Sequence, residues 1–334
     1  MNKKDWTTAV LNGENRRPLP IISYPGVQFS GKTIKEVLSS SDLQAQVMKT
    51  VADRCDSAAA VTLMDLSVEA ECFGAQISEG DNVIPAVKGV FVTSAEQAER
   101  LSVPKVGDKR SGIFIDTVKK AKELITDRPV LAGCVGPYSL FGRLAGVTEA
   151  MFMCFDEPEA AECLLKKGTE FIIEYIKAFK EAGADGIIIA EPVAGLLSPS
   201  MESEFSAPYI KRIAQNVISD DFIVIYHNCG ENVTRITDSI YSNGCDAYHF
   251  GNISDMHTLL KAAPADKLIM GNIDPVSCFR DGTPDEMRSA VRVLLENCGG
   301  CSNFILSSGC DTPFNAKWEN IEAFYSEAAA FYGE

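Results

Sequence analysis

"DFIVIYHNCG" (residues 221–230) opens with an acid, runs through five apolar or aromatic residues, and stops abruptly at His-Asn-Cys-Gly. It reads as a buried strand with a polar end. Alternate strand residues share a face, so His227 and Cys229 project side by side. Seven other segments have the same look: a small or acidic start, four to six apolar residues, then a polar or Gly-rich stop. They are "LPIISYPG" (19–26), "AAAVTLMDLS" (58–67), "RPVLAGCVGP" (128–137), "GADGIIIAEP" (183–192), "CDAYHFGN" (245–252), "DKLIMGNIDP" (266–275) and "NFILSSGCD" (303–311).

Helix-period segments lie between most of these strands. "EAAECLLKKGTEFIIEYIKAFKEAG" (159–183) places apolar residues at helical spacing and ends at a glycine. "TPDEMRSAVRVLLENCGG" (283–300) opens with a Thr cap and Pro, and "ENIEAFYSEAAAFY" (319–332) closes the chain as a last helix. Eight strands alternating with helices predict an α/β fold, a (β/α)8 TIM barrel. A doubly wound sheet is disfavoured because no G-x-G-x-x-G follows an early strand. The whole chain, 1–334, reads as one barrel domain with an N-terminal extension over 1–18. The long connection over 67–128 reads as an insertion between strands 2 and 3 near the barrel mouth. It holds a small hairpin around 80–93 and a helix near 111–127.

The net charge of −15 argues against nucleic acid or an anionic membrane as partner. The start, "MNKKDWTTAVLNGENRRP", has no apolar signal core, and no window approaches the roughly 20 apolar residues of a membrane span. A cytoplasmic protein is expected. Eleven cysteines in such a chain read mostly as reduced core residues rather than a disulfide framework.

Barrel active sites lie at the C-terminal ends of the strands. Asp65, Glu69, Cys134, Glu191, His227, Cys229, Asn252, Asn272, Asp274 and Cys310 all fall there. A histidine and a cysteine two apart could be a satisfied core pair. Their place at a strand end, and a third soft donor, Cys310, at the end of the eighth strand, favour a metal site instead. One His and two Cys from separate strands form the three-ligand set of a catalytic zinc, with a fourth position open. "CGGC" (298–301) closes a helix at the opposite end of the barrel and reads as structural. His249 faces the mouth or packs. Glu191, ending a wholly apolar strand, is the leading acidic candidate, with Asp65 a second catalytic candidate. Cys134, which lines the pocket or packs in the core, joins Asn228, Asn272 and Asp274 as candidate cofactor-binding residues.

With these residues in view, the chain resembles the uroporphyrinogen decarboxylase superfamily. Within it, the chain is similar to the zinc-dependent methylcobamide:coenzyme M methyltransferases. The resemblance covers nearly the whole length, through "MDLSVEAECFG" (64–74), "CVGPYSL" (134–140), "AEPVAG" (190–195), "SPSMESEFSAPYIKRI" (198–213), "HNCG" (227–230), "GNIDP" (271–275) and "LSSGCDTP" (306–313). It implies that His227, Cys229 and Cys310 bind zinc, which holds an acceptor thiol as thiolate. It implies methylcobalamin, carried by a small corrinoid protein, as the methyl donor. It also matches Asp65 to an acid that relatives carry after strand two, with a role in proton handling or in pocket shape.

Two departures bear on rival readings. Decarboxylase relatives carry an Arg-rich segment after strand one and a Gly-His-Gly near strand eight. Here those places hold "SYPGVQFSG" (23–31), without Arg, and Gly309-Cys310-Asp311. Cobalamin-independent methionine synthases add a Glu ligand soon after the H-x-C, and "DAYHFGNIS" (246–254) offers none. The fourth position is either open to the thiol or reached by Glu191. A non-catalytic corrinoid- or thiol-binding protein is the reading from another class. Coenzyme M carries a sulfonate that wants an Arg or backbone N–H groups. Arg143, in "LFGRLAG", is either that partner or a solvated helix residue, and homocysteine or another thiol stays open as acceptor.

Overall fold

The computed structural model describes residues 3–78 and 80–333. Among these residues one parallel sheet contains β1 (Ala60–Val61), β2 (Val130–Val135), β3 (Gly186–Ala190), β4 (Ile223–Asn228), β5 (Ala247–Phe250), β6 (Leu268–Ile273) and β7 (Phe304–Ser308), paired in chain order. Parallel neighbours need crossover connections, and helices supply them. Inward residues alternate along each strand: Leu131, Ile188, Ile225, Ala247, Met270 and Ile305 fill the barrel. The outward residues between them, such as Ile187, Ile189 and Val224, pack against the ring of helices. Pro158–Glu181 turns Phe171, Ile172, Tyr175, Ile176 and Phe179 onto the sheet. Each such side chain is worth about 1.5–3 kcal/mol when buried. The sequence pattern dictates that stripe. Pro284–Cys298 begins, as its residues predict, with a capping box between Thr283 and Glu286.

The architecture is that of a (β/α)8 barrel, but the first of the eight expected strands, over 19–26, is not regular. The segment is extended and then coils into a short 3₁₀ helix, Tyr24–Phe29. It still closes the barrel: Leu19 N–H donates to Leu306 C=O at 2.9 Å, and Ala58 N–H to Pro18 C=O at 2.9 Å. Pro18 and Pro20 carry no N–H, so alternate donors are missing and no continuous ladder can form.

The 67–128 connection starts with the helix Val68–Cys72. A hairpin follows, in which Ser78 N–H reaches Ala86 C=O and Lys88 N–H reaches Gln76 C=O, each at 2.7 Å. It begins slightly ahead of the stretch expected. The helix Ser111–Leu124 packs against Ser41–Arg54 as an ordinary member of the ring, while Ile84, Ala86 and Val87 of the hairpin line a pocket together with Met64 and Asp311. No helix among the described residues is long and apolar enough to cross a membrane.

Candidate metal centre

Ile223 and Ile225 face the barrel interior, so His227 on β4 faces it too, and Cys229 follows on the same side just past the strand. Two glycines let neighbouring loops close around them. A Cβ on Gly251 would lie 2.6 Å from the Cβ of Cys229, and one on Gly309 would lie 2.5 Å from the Asn252 nitrogen. Gly309 N–H donates to Ile273 C=O at 2.6 Å, which anchors the turn that presents Cys310.

The ligand atoms of His227, Cys229 and Cys310 lie within 4.8 Å of one another. Cys310 Sγ is 3.6 Å from His227 Nε2 and 3.9 Å from Cys229 Sγ. Tetrahedral zinc, with Zn–S near 2.3 Å and Zn–N near 2.0–2.1 Å, separates its ligands by about 3.5–3.8 Å. The donors therefore fit zinc in both chemistry and spacing. Cys310 shares its thiol proton with Cys229: this hydrogen bond holds Cys229 below the usual thiol range and, with burial, pushes Cys310 up to about 12. A bound dication would deprotonate both.

Behind the histidine lies a chain of hydrogen bonds. His227 Nδ1 is 2.7 Å from Nδ1 of His249, its register partner on β5. His249 Nε2 is 2.7 Å from Ser307 Oγ, and that hydroxyl donates to Leu19 C=O at 2.7 Å. Burial, and then the neighbouring His227, push the pKa of His249 well below the ordinary imidazole value.

A pocket of about 430 Å³ reaches Asp311, the residue after Cys310, and is lined by Met64, Leu66, Ile84, Val87 and Arg143, among others. The hairpin supplies one wall. Arg143 Nε donates to Leu66 C=O at 2.7 Å. Burial lowers its pKa, while Glu69, Glu191 and Asp65 favour the charged form. Asp311 Oδ1 is buried and has no partner among the described residues, and burial pushes its carboxyl well above the usual range.

Several expected site residues turn out to be occupied elsewhere. Ala190 pairs with His227 and faces inward, so Glu191 faces the helices. There it accepts the N–H of Tyr138, at 3.0 Å, and of Ser139, capping the helix Pro137–Ala145. Gly136 makes room, since a Cβ there would lie 2.2 Å from Glu191 Oε2. Burial pushes Glu191 up to about 7, opposed by these same donors. Cys134 likewise faces the helical layer, where burial raises its pKa. Asn228 donates to Tyr226 Oη at 2.9 Å and accepts Gly230 N–H at 2.9 Å. Asn272 donates to the carbonyls of Gly251 and Ser254 at 2.8 and 2.7 Å. Asp274 accepts from Val276 and Ser277 N–H and from Asn252. These three shape the loops of the mouth. Asp65 is held by Ser67 and by Arg110, which also pairs with Glu71 at 2.7 Å. Sequence reasoning missed Arg110 because nothing local links it to an acid 45 residues earlier.

In the sequence Glu69 is only one of several polar strand-end residues. It is buried, accepts Val135 N–H at 2.9 Å with Oε1, and leaves Oε2 without a partner among the described residues. Burial pushes it from 4.5 up to about 7. The folded state therefore holds this proton more tightly than the unfolded chain. The resulting stabilisation is full below about pH 4.5 and is lost as pH rises through about 7. Glu69→Gln keeps the acceptor and removes the charge. Its unfolding free energy should exceed the parent's by on the order of 3 kcal/mol at pH 8 and nearly match it near pH 4.5. Denaturant unfolding at the two pH values checks this, and equal stabilities at pH 8 would exclude a buried charge at Glu69.

The model of the family described as uroporphyrinogen decarboxylase (URO-D) matches residues 2–331. The chain is 28% identical to the methylcobamide:CoM methyltransferase MtbA of Methanosarcina acetivorans, over 88% of this chain and 89% of that one. It is 30% identical to a uroporphyrinogen decarboxylase of Chlorobium phaeobacteroides, over 77% of this chain and 74% of the relative. A solved methyltransferase from Methanosarcina mazei superimposes with a TM-score of 0.87 over 99% of each chain at 24% identity, a likeness of fold. From the barrel, and from a match that spans nearly its whole length, the chain belongs to the uroporphyrinogen decarboxylase family.

Proposed function

We propose that the chain is a zinc-dependent methyltransferase that moves a methyl group from a corrinoid, carried by a partner protein, to a small thiol. The observation that carries this reading is the three soft donors, His227, Cys229 and Cys310, gathered at tetrahedral spacing beside a pocket. The similarity to MtbA supports it. Zinc bound there would lower the pKa of a coordinated thiol to below neutrality and keep it as thiolate, where a free thiol near 8.5 stays mostly protonated.

The chain's own residues do the rest. The hairpin and Met64 line one side of the pocket that would receive the thiol. Arg143, fixed through its Nε, is the cation available to an anionic end of the thiol. In the transfer, the methyl leaves cobalt without the Co–C electron pair and bonds to sulfur. Cobalt is left as Co(I), and the thiol proton goes to solvent. A small, cytoplasmic corrinoid protein would be the partner. Asp65, held by Arg110 and Ser67, serves to fix the turn after β1 beside the pocket rather than to transfer a proton.

The decarboxylase reading is favoured by the Chlorobium relative. Against it stand the missing arginines of "SYPGVQFSG" and the cysteine in Gly309-Cys310-Asp311. One experiment separates the two. Zinc-loaded protein, methylcobalamin and a thiol panel including 2-mercaptoethanesulfonate and homocysteine are mixed anaerobically. The spectrum is expected to change from methyl-Co(III) to Co(I), with the thioether detected by mass spectrometry. Uroporphyrinogen given to the same preparation should yield no coproporphyrinogen. If no thiol is methylated even with a cognate corrinoid protein present, the methyltransferase reading fails.

A further inference from the structure

We infer that His249, held by Ser307, is a positioning residue that fixes His227 in the one tautomer able to ligate through Nε2. The inference rests on the metal part of the reading above. It follows from tracing where each proton in the hydrogen-bond chain must sit.

The chain ends at Leu19 C=O, which can only accept. Ser307 Oγ lies 2.7 Å away and donates its single proton to it. Ser307 can then meet His249 Nε2, also at 2.7 Å, only as an acceptor. His249 is buried, and its ring nitrogens meet the side chains of His227 and Ser307 and no carboxylate among the described residues. With no acid there to support a second proton, its single proton is on Nε2 and Nδ1 is bare. That nitrogen is 2.7 Å from His227 Nδ1, so the proton between the two rings belongs to His227. A neutral His227 protonated on Nδ1 has its lone pair on Nε2, the atom that faces Cys310 at 3.6 Å. The reverse tautomer would set two bare Nδ1 atoms against each other and aim an N–H at the metal position.

The chain links four separate parts of the barrel: the closing segment, β7, β5 and β4. It runs inside, where all three side chains are buried. It also gives the irregular 18–21 segment a role. A metal-bound histidine commonly donates its other N–H to a carboxylate, carbonyl or water. Here a second imidazole takes that place, and its own orientation is set by a hydroxyl and a backbone carbonyl.

The test has two readouts. In metal-free wild-type protein, long-range ¹H–¹⁵N correlation spectra should show His227 protonated on Nδ1 and His249 on Nε2. A His227 protonated on Nε2 would overturn the inference whether or not the protein binds zinc. The second readout is zinc affinity by chelator competition. His249→Leu should bind zinc about 10–100-fold more weakly, the usual loss for a missing outer partner. Its His227 should drift toward the Nε2–H form. His249→Gln, whose amide can accept from His227 and donate to Ser307, should restore most of the affinity. Ser307→Ala should shift affinity in the same direction as His249→Leu. Unchanged affinity in a folded His249→Leu, with wild type still binding zinc, would sink the positioning role and leave the metal site standing. Should His249→Leu fail to fold, the Gln variant decides: it must retain both the Nδ1–H tautomer and the zinc, or the inference falls.

Discussion

Cys310→Ala is expected to lose zinc while keeping its fold. Protein purified without chelator should carry about one zinc per chain, and the variant less than about a tenth of that. Losing an outer-shell partner costs about 10–100-fold in affinity, and losing one of three protein ligands should exceed it. The fold should survive because Cys310 sits on a turn past β7, outside the inward layers that fill the barrel. His227→Ala and Cys229→Ala should behave alike, and methyl transfer should fall at least about 30-fold in all three, because an acceptor thiol with a pKa of about 8.5 returns to its mostly protonated form at neutral pH. Cys134→Ala is the control, since that thiol faces the helices. Elemental analysis with circular dichroism is the measurement, and full zinc in Cys310→Ala would remove that residue from the site.

Glu191→Ala should cost stability rather than chemistry. The carboxylate is the acceptor for two buried N–H groups at the start of Pro137–Ala145. Each buried donor left without a partner costs about 1–3 kcal/mol, so a loss of about 2–6 kcal/mol is expected at neutral pH. Glu191→Gln keeps one acceptor oxygen and turns an NH₂ toward the other donor, which places it between the two. Zinc content should not change in either variant. Denaturant unfolding gives the stability, and chelator competition gives the metal. A fully stable Glu191→Ala that has lost methyl transfer would return this acid to the reaction and undo the capping account.

Much of the architecture was legible because its signals are local. A strand buried on both faces is a short apolar run, and a ring helix shows its stripe at 3.6-residue spacing. Both survive reading one segment at a time. The closing segment broke the pattern for an equally local reason: the prolines at 18 and 20 remove the donors a ladder needs. The three soft donors were legible too, because His227 and Cys229 sit two apart at a strand end and Cys310 sits at another.

The acids were harder. Glu191 and His227 both end apolar strands, yet one faces the helices and the other the interior. A single strand end carries no mark of which face is which. The register Ala190↔His227 decides it, and register is a property of two strands together. Arg110 reaches Asp65 and Glu71 from well outside their local sequence, so its role had no nearby signal. The partner of His249 was hidden in the same way: Ser307 lies 58 residues on.

The sequence by itself thus determined the alternation of strands and helices and the kinds of donor that reach the mouth. Both depend on chain propensities and on which side chains are present. The tertiary structure alone decided which polar groups remain free to act. A carboxylate, a histidine or an arginine is used up or left available by partners tens to hundreds of residues away, and only closure of the barrel brings those partners within hydrogen-bond distance.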